Sequence, residues 1–427
     1  MGIRAHGRQW RGLVLLALLL IAQRGASAVE LWSDDEGRRG ELAIAGKATY
    51  LASDAPSDPV LFPDDHSETT LARLRLGLEV THSDWMDSEL AYEQRARWLS
   101  GSTGLGAGSN FLPSQARAPF RLVQLDWEIA ADDDSSYRHE IDRALVGLHP
   151  TWGDVTIGRQ AIGLGRGVLF SAVDVFNPFS PLEVDREWRR GVDAFRAEYR
   201  LSTTSSAECF AAFGQTWEQS AVLGRLRGYL GNVDGSLILG KRAEDFMVGG
   251  AFSAVVGEAE VHGEWAVFDT PEAQADGTFW GGSHLATKAV VGSSYTFDVG
   301  NGLTLLGEYH YSDFGVEDAE DTLVRLQDRD FQRRFLRGDT QILGRQAIAT
   351  QLSYPFSDAV NGSFLVLTNP TDGSGVISPS LRWDLNENVT LIGNIFVPWG
   401  DEPSAGQLRS VYGATPTSLF LQAAIYY

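Results

Sequence analysis

In "LARLRLGLEVT", Leu71 to Thr81, the apolar Leu74, Leu76, Leu78 and Val80 alternate with Arg73, Arg75, Gly77 and Glu79. A period of two this strict belongs to a β-strand with one apolar and one polar face. The pattern returns along the whole chain. Phe195, Ala197, Tyr199 and Leu201 oppose Arg196, Glu198 and Arg200. Ala259, Val261, Trp265 and Val267 oppose Glu258, Glu260, His262 and Glu264. Leu303, Leu305, Tyr309 and Tyr311 oppose Thr304, Glu308 and His310. Nineteen such segments occur between 40–52 and 417–427. Most run about 10–13 residues, against about 5–6 for the commonest soluble strands. That length suits a tilted strand crossing a bilayer, which takes about 9–11 residues.

The connections alternate as well. Short turns stand at 151–154, 231–235, 298–302 and 384–388, and longer polar loops at 53–68, 99–118, 163–189, 269–285, 313–341 and 398–416. Short turns on one side and long loops on the other mark a transmembrane barrel of the outer-membrane type. A soluble sandwich or propeller is the competing architecture, but its strands would be shorter, without so many flanking Tyr and Trp. The expected fold is therefore all-β: one antiparallel transmembrane β-barrel over 40–427. Bacterial single-chain barrels have even strand numbers. Treating 119–130 as part of an external excursion reduces nineteen segments to eighteen strands, with sixteen as second choice. The closing stretch "SLFLQAAIYY" puts Leu419, Leu421, Ala423, Ile425 and Tyr427 on one face. It resembles the C-terminal strand that barrel-assembly machinery reads.

The start of the chain carries a different signal. Arg4, Arg8 and Arg11 precede the apolar run "GLVLLALLLIA", and "ASA" ends at Ala28. This is the pattern of a cleaved secretory signal peptide, 1–28, too short to span a bilayer. Residues 29–39 would be a periplasmic lead-in. Export without a membrane helix points to the outer membrane of a Gram-negative cell. Without the signal segment the net charge is about −25, which excludes nucleic acid as a partner. A single cysteine, Cys209, allows no internal disulfide and no cysteine metal site, and is expected buried or lipid-facing.

One stretch departs from the alternation. Between the strands 151–162 and 190–201 lie "GLGRG", two prolines and Phe170, Phe176 and Phe179. Aromatics argue against disorder, and an ordered loop of this length is usually functional. We expect 163–189 to fold inward and narrow the barrel, the alternative being a loop packed over the rim. Its polar residues are Arg166, Asp174, Asn177, Asp185, Arg186, Arg189 and Arg190, and they would meet the wall charges Arg196, Glu198 and Arg200. Opposed charges across a constriction select solutes by charge and size. The lumen would be lined by Glu93, Arg95, Arg196, Glu198, Arg200, Arg225, Arg227, Glu260, Glu264, Glu308 and Arg382.

The stretch "GRQAIGLGRGVLFSAVDVFNPFSP", the following "DREWRRGVDAFR" and the preceding "HEIDRALVGL" resemble a segment of bacterial outer-membrane porin-like barrels, in the style of alginate-export and substrate-specific porins. The specific resemblance covers His139 to Tyr199. It implies a channel. Some barrels of this wider class instead look like the sheath of a porin–cytochrome conduit, which would make a multihaem cytochrome the partner. The expected function is thus passive diffusion of small polar or charged solutes, with outer-membrane lipid as surroundings and a cytochrome-holding sheath as the alternative.

Two points stay open at this stage. If 151–154 is the turn, Arg143 and Arg159 fall opposite each other. Either both face inward or both sit near the external rim, with Asp142 and Gln160 on the other face. An arginine facing lipid costs about 2–4 kcal/mol at the midplane and less near the rim. The charged loop 313–341 is expected to be external, with "DRDFQRRF" forming a short helix or capping the pore. No haem-attachment motif and no G-x-S-x-G elbow occur. Neither an enzyme, a metal site nor a cofactor is expected.

Overall fold

The computed structural model describes residues 28–101, 111–113 and 118–427. The expected signal segment 1–28 lies outside the described residues apart from Ala28, as does much of the loop 99–118. The first strands are β1 (Val29–Ser33), β2 (Arg39–Asp54), β3 (His66–Ser83), β4 (Met86–Ser100), β5 (Asp126–Asp132), β6 (Ser135–Leu148) and β7 (Gly153–Gln160). Next come β8 (Val192–Arg200), β9 (Ser206–Ala212), β10 (Ala221–Leu230), β11 (Val233–Arg242), β12 (Asp245–Val256), β13 (Ala259–Asp269) and β14 (Leu285–Phe297). The last are β15 (Leu303–Ser312), β16 (Gln346–Ser357), β17 (Val360–Thr368), β18 (Gly375–Asn386), β19 (Val389–Trp399) and β20 (Thr417–Tyr426). Two short helices, α1 (Thr322–Arg325) and α2 (Arg329–Arg337), sit in the loop before β16.

Eighteen strands close an antiparallel ring, with β20 hydrogen-bonded back to β2 from Ala45–Tyr426 to Asp54–Thr417. Closure leaves no wall strand with a free edge, as a lipid-embedded sheet requires. β1 and β5 stand outside the ring. β1 continues the line of β20 along the foot of β2. β5 lies on the upper half of β6, against Ser135–Glu140, while β7 takes Ala144–Leu148 of the same edge. This disposes of the odd strand count: 119–130 belongs to an excursion whose last part rides on the wall. Both described chain ends lie on the side of the short turns, and the long connections emerge on the other. No helix among the described residues is long and apolar enough to cross a membrane.

The alternation holds around the ring. Leu237, Leu239, Val248, Leu419 and Leu421 are exposed on the outer face. Trp152 stacks on Tyr199 at 6.1 Å near the short turns, where aromatic girdles form. Cys209 faces outward too, exposed and opposite Ala197 and Gly224.

Arg143 and Arg159 follow neither of the two expected arrangements. In β6 a bulge pairs Tyr92 with Ile141 and Ala91 with Arg143. The extra residue turns both Asp142 and Arg143 toward the lumen, as bulges re-aim side chains. Gln160 also faces inward and donates to the carbonyl of Ala194 at 3.0 Å. Arg159 stands on the outer face opposite Asp193. It is nevertheless buried, in the gap between β5 and β7. Its Nε donates to Asp193 Oδ1 at 2.6 Å, and its terminal nitrogens donate to the carbonyls of Ile141 at 2.9 Å and Val123 at 2.6 Å. Removing one partner of a buried ion pair strands the other. Asp193→Ala should therefore destabilise the barrel by about 3 kcal/mol, measured as a lower urea midpoint in lipid vesicles.

Candidate functional site

The segment 161–191 leaves β7 at Gln160, crosses the lumen and returns at Val192. No strand pairs with it, so its backbone amides need other partners. Two wall carboxylates supply them. Glu264 on β13 accepts from the backbone N–H of Arg166, from those of Gly167 and Ala172 at 2.6 Å, from that of Val173 at 3.2 Å, and from the Ser171 hydroxyl at 2.6 Å. Glu308 on β15 accepts from the N–H groups of Val168 at 2.6 Å, Leu169 at 3.0 Å and Phe170 at 2.9 Å. Its Oε1 also meets His262 Nε2 at 2.9 Å. Bonds to an ionised acceptor are worth about 1.5–3 kcal/mol each. The tight winding explains the glycines: a Cβ on Gly167 would collide with the carbonyl of Phe170. Asn177 takes the left-handed φ of 54°, which its short amide side chain tolerates.

The far end of the segment is held by cations. Lys47 Nζ lies 2.6 Å from Asp185 Oδ1 and 2.6 Å from Glu187 Oε2, and Arg73 lies 2.9 Å from Asp185 Oδ2. The Trp188 ring takes Lys47 Nζ at 3.9 Å from its centre, with Arg73 and Arg75 at 5.0 and 5.2 Å, within cation–π range. At the return, Gly191 N–H donates to Asp142 Oδ1 at 2.9 Å, and Arg143 donates to the Arg189 carbonyl at 2.6 Å.

The segment is also tied to itself. Arg189 pairs with Asp174. Asn177 donates to the Arg190 carbonyl at 3.1 Å. Arg186 donates to the carbonyls of Glu183, Val168, Ser180 and Pro181. Burial pushes the Asp174 carboxyl up, against the pull of Arg189.

The loop 313–345 closes over it. Gln341 accepts from Ser171 N–H at 2.9 Å and donates to the Phe179 carbonyl at 2.8 Å. The stretch "DRDFQRRF" contributes most of α2, capped by the Asp328 side chain at its start and by left-handed Gly338 at its end. Arg334 of α2 donates to both carboxylate oxygens of Asp245 at 2.8 Å. Asp339 receives Arg242 and Arg337. Against the penalty of burial, those two guanidiniums hold it well below the usual carboxylate range.

Two apolar clusters seal much of the lumen. One packs Phe120, Val173, Val175 and Phe176 on Phe210, Leu223 and Phe268 of the wall. The other packs Phe111, Leu169, Phe170 and Leu182 on Leu367, Phe396 and Phe420. What stays open lies toward β3 and β4. An outer cavity of about 710 Å³ shares Pro119, Leu336 and Arg337 with a chamber of about 380 Å³. Arg73, Arg95, Arg97, Arg190 and Arg337 line that chamber, together with Phe179, Trp188 and Phe335, and among the described residues its one acid is Glu183. A third cavity, of about 180 Å³, contains Glu183 and Arg186 together with Gln351, Ser363, Ser378, Ser380 and Asn394.

The wall arginines differ in how far they are neutralised. Arg73, Arg75 and Arg95 surround Glu93. Arg190 lies 3.9 Å from Glu140. Arg97 pairs with no carboxylate among the described residues, and its Nε is buried without a partner. Burial raises the Glu183 carboxyl to about 7, opposed by the Ser180 N–H and Arg186.

One expected contact is corrected. The segment does not meet Arg196, Glu198 and Arg200. β8 carries these toward the short turns, below the level at which the segment enters. There Arg196 joins Glu208 at 2.8 Å and Glu198 at 3.7 Å, and Arg200 joins Asp154 at 2.6 Å. The wall partners include Lys47, Arg73, Asp142, Arg143, Asp234, Glu264 and Glu308 instead. Arg225 shares Glu208, Arg227 joins Asp234 at 3.0 Å alongside Arg166, and Arg382 joins Asp384 at 2.9 Å. Glu260 stands exposed on the lower wall opposite Ser294. The sequence reading passed over Lys47, Arg97, Glu183 and Trp188. Position on the polar face of a strand was the available signal for Lys47 and Arg97.

No protein-family model and no curated protein matches the sequence. Solved structures do. Acinetobacter baumannii OccAB1 aligns over 91% of this chain and 96% of its own, at 10% identity and a TM-score of 0.55. Pseudomonas aeruginosa OccK9 (OpdG) aligns over 91% and 98%, at 10% identity and 0.54. Pseudomonas aeruginosa OpdK, crystallised with vanillate, aligns over 91% and 98%, at 9% identity and 0.52. At this identity the likeness is one of fold, and the fold is that of the outer-membrane porin barrel.

The double substitution Glu264→Gln and Glu308→Gln removes the charge from both acceptors of the 166–173 amides. Those amides should exchange with deuterium at least about tenfold faster, a factor worth about 1.4 kcal/mol, and hydrogen-exchange mass spectrometry reads the change.

Proposed function

We propose that this chain is a passive outer-membrane channel in which 161–191 forms the constriction, and that it prefers small anions. The observation that carries the reading is the chamber: five arginines and one carboxyl, with Arg97 unpaired among the described residues. A low-dielectric cleft lined by one sign of charge concentrates the opposite sign. The aromatic rings beside the arginines offer flat apolar contact for an organic anion. Vanillate, found with the similarly folded OpdK, is a molecule of that kind, and small aromatic carboxylates are reasonable first solutes to try. The apolar seals leave the arginine side as the route. Nothing observed favours the cytochrome sheath, because the chain's own loops take up the lumen a partner would need.

The test is a planar bilayer with a KCl gradient. The mature chain should give steady current steps with a reversal potential on the chloride side. Arg97→Ala should lower the anion-to-cation permeability ratio about threefold to fivefold, since one unit charge a few ångströms away is worth about 1 kcal/mol in a water-filled pore. A cation-selective pore, or no current from a folded barrel, overturns the reading.

A further inference from the structure

Among the described residues, Glu183 is the only acid in the wall of the arginine chamber and the one residue that this chamber shares with the cavity beneath it. A solute passing from one to the other passes this carboxyl. Its geometry leaves it without a strong partner. Among the described residues it accepts one weak bond, from Ser180 N–H at 3.4 Å, and makes no ion pair. The nearest cation on its own segment, Arg186, is taken up by backbone carbonyls.

The charged groups around it come from four elements. Asp185, Arg186 and Arg190 lie on its own segment, Arg73 on β3, Arg95 and Arg97 on β4, and Arg337 at the end of α2. Asp185 is committed to Lys47 and Arg73. Toward the lower cavity the wall from β16 to β19 is neutral, made of Gln351, Ser363, Ser378, Ser380 and Asn394. Glu183 is thus the single acid at the junction whose charge is not already cancelled.

We propose that Glu183 is a specificity-determining side chain whose ionisation switches how strongly the constriction favours anions. When the carboxyl is protonated, the chamber presents its arginines unopposed. When it is ionised, a negative charge stands across the exit and lowers anion passage. Burial raises the group to about 7, so the change falls in the neutral range. The inference rests on the channel reading of the same chamber.

The experiment measures reversal potentials of the full mature chain in a KCl gradient from pH 5 to pH 9. For the wild type the anion-to-cation ratio should fall about fivefold as pH rises, with a midpoint near 7. Glu183→Gln should keep the high ratio flat across the range, and Glu36→Gln, in the exposed turn between β1 and β2, should leave the wild-type curve in place. Glu183→Ala serves as a second variant, since it also lacks the charge. Persistence of the wild-type midpoint in both Glu183 variants overturns the proposal, as does a pH-independent wild type. In either of those cases anion-selective steps would leave the channel reading standing, whereas no current at any pH would remove both.

Discussion

A backbone amide kept from bulk water must find a partner, and both halves of this structure answer that demand. In the wall the answer is the neighbouring strand, and it is complete only because β20 returns to β2. In the lumen no neighbouring strand exists. There Glu264 and Glu308 take over, each gathering several N–H groups of one irregular segment. Such a segment can lie inside a barrel because the wall offers ionised acceptors at the height where it crosses. The apolar clusters then pack around a backbone whose polar groups are already satisfied, which burial requires.

Charge follows from that arrangement. The chain is strongly acidic as a whole, yet its lumen has a basic side. Carboxylates there are spent on structure: Glu93 and Asp142 on neighbouring arginines, Glu264 and Glu308 on amides, Asp185 on Lys47 and Arg73. Positive groups outnumber the acids left to meet them in the chamber. The excess acidity lies elsewhere, largely on exposed loops and turns, where water solvates it at little cost.

The ring was legible from sequence because lipid enforces alternation. Arg73 and Arg75 between leucines, or Glu308 between Leu305 and Tyr309, leave little choice of face. The eighteen-strand count followed once 119–130 was set aside. Arg143 was not legible, because a one-residue bulge shifts the phase and a period of two carries no memory of it; Arg159 was not, because the carbonyls of Ile141 and Val123 that bury it on the outer face come from other parts of the chain. The partners of 161–191 were hidden for another reason. Glu264 and Gly167 are neighbours only after the barrel has closed, and nothing local in "GEAEVHGEWAV" distinguishes an acid that binds amides from one that faces water. Glu183 shows the same limit: its neighbours Leu182 and Val184 read as an ordinary loop, and its importance comes from the two cavities that meet there.

The seam between β2 and β20 has a kinetic consequence. Ile44 and Tyr427 exchange backbone hydrogen bonds across it, at 2.6 and 2.7 Å. These residues stand at nearly opposite ends of the described barrel, so the contact that completes the wall is among those of longest sequence separation, and pairings of that kind form slowly. Until it forms, the sheet carries two raw edges, the form in which sheets aggregate. Through that interval the outer edges of β2 and β20 are the two edges of the wall that still lack a neighbour.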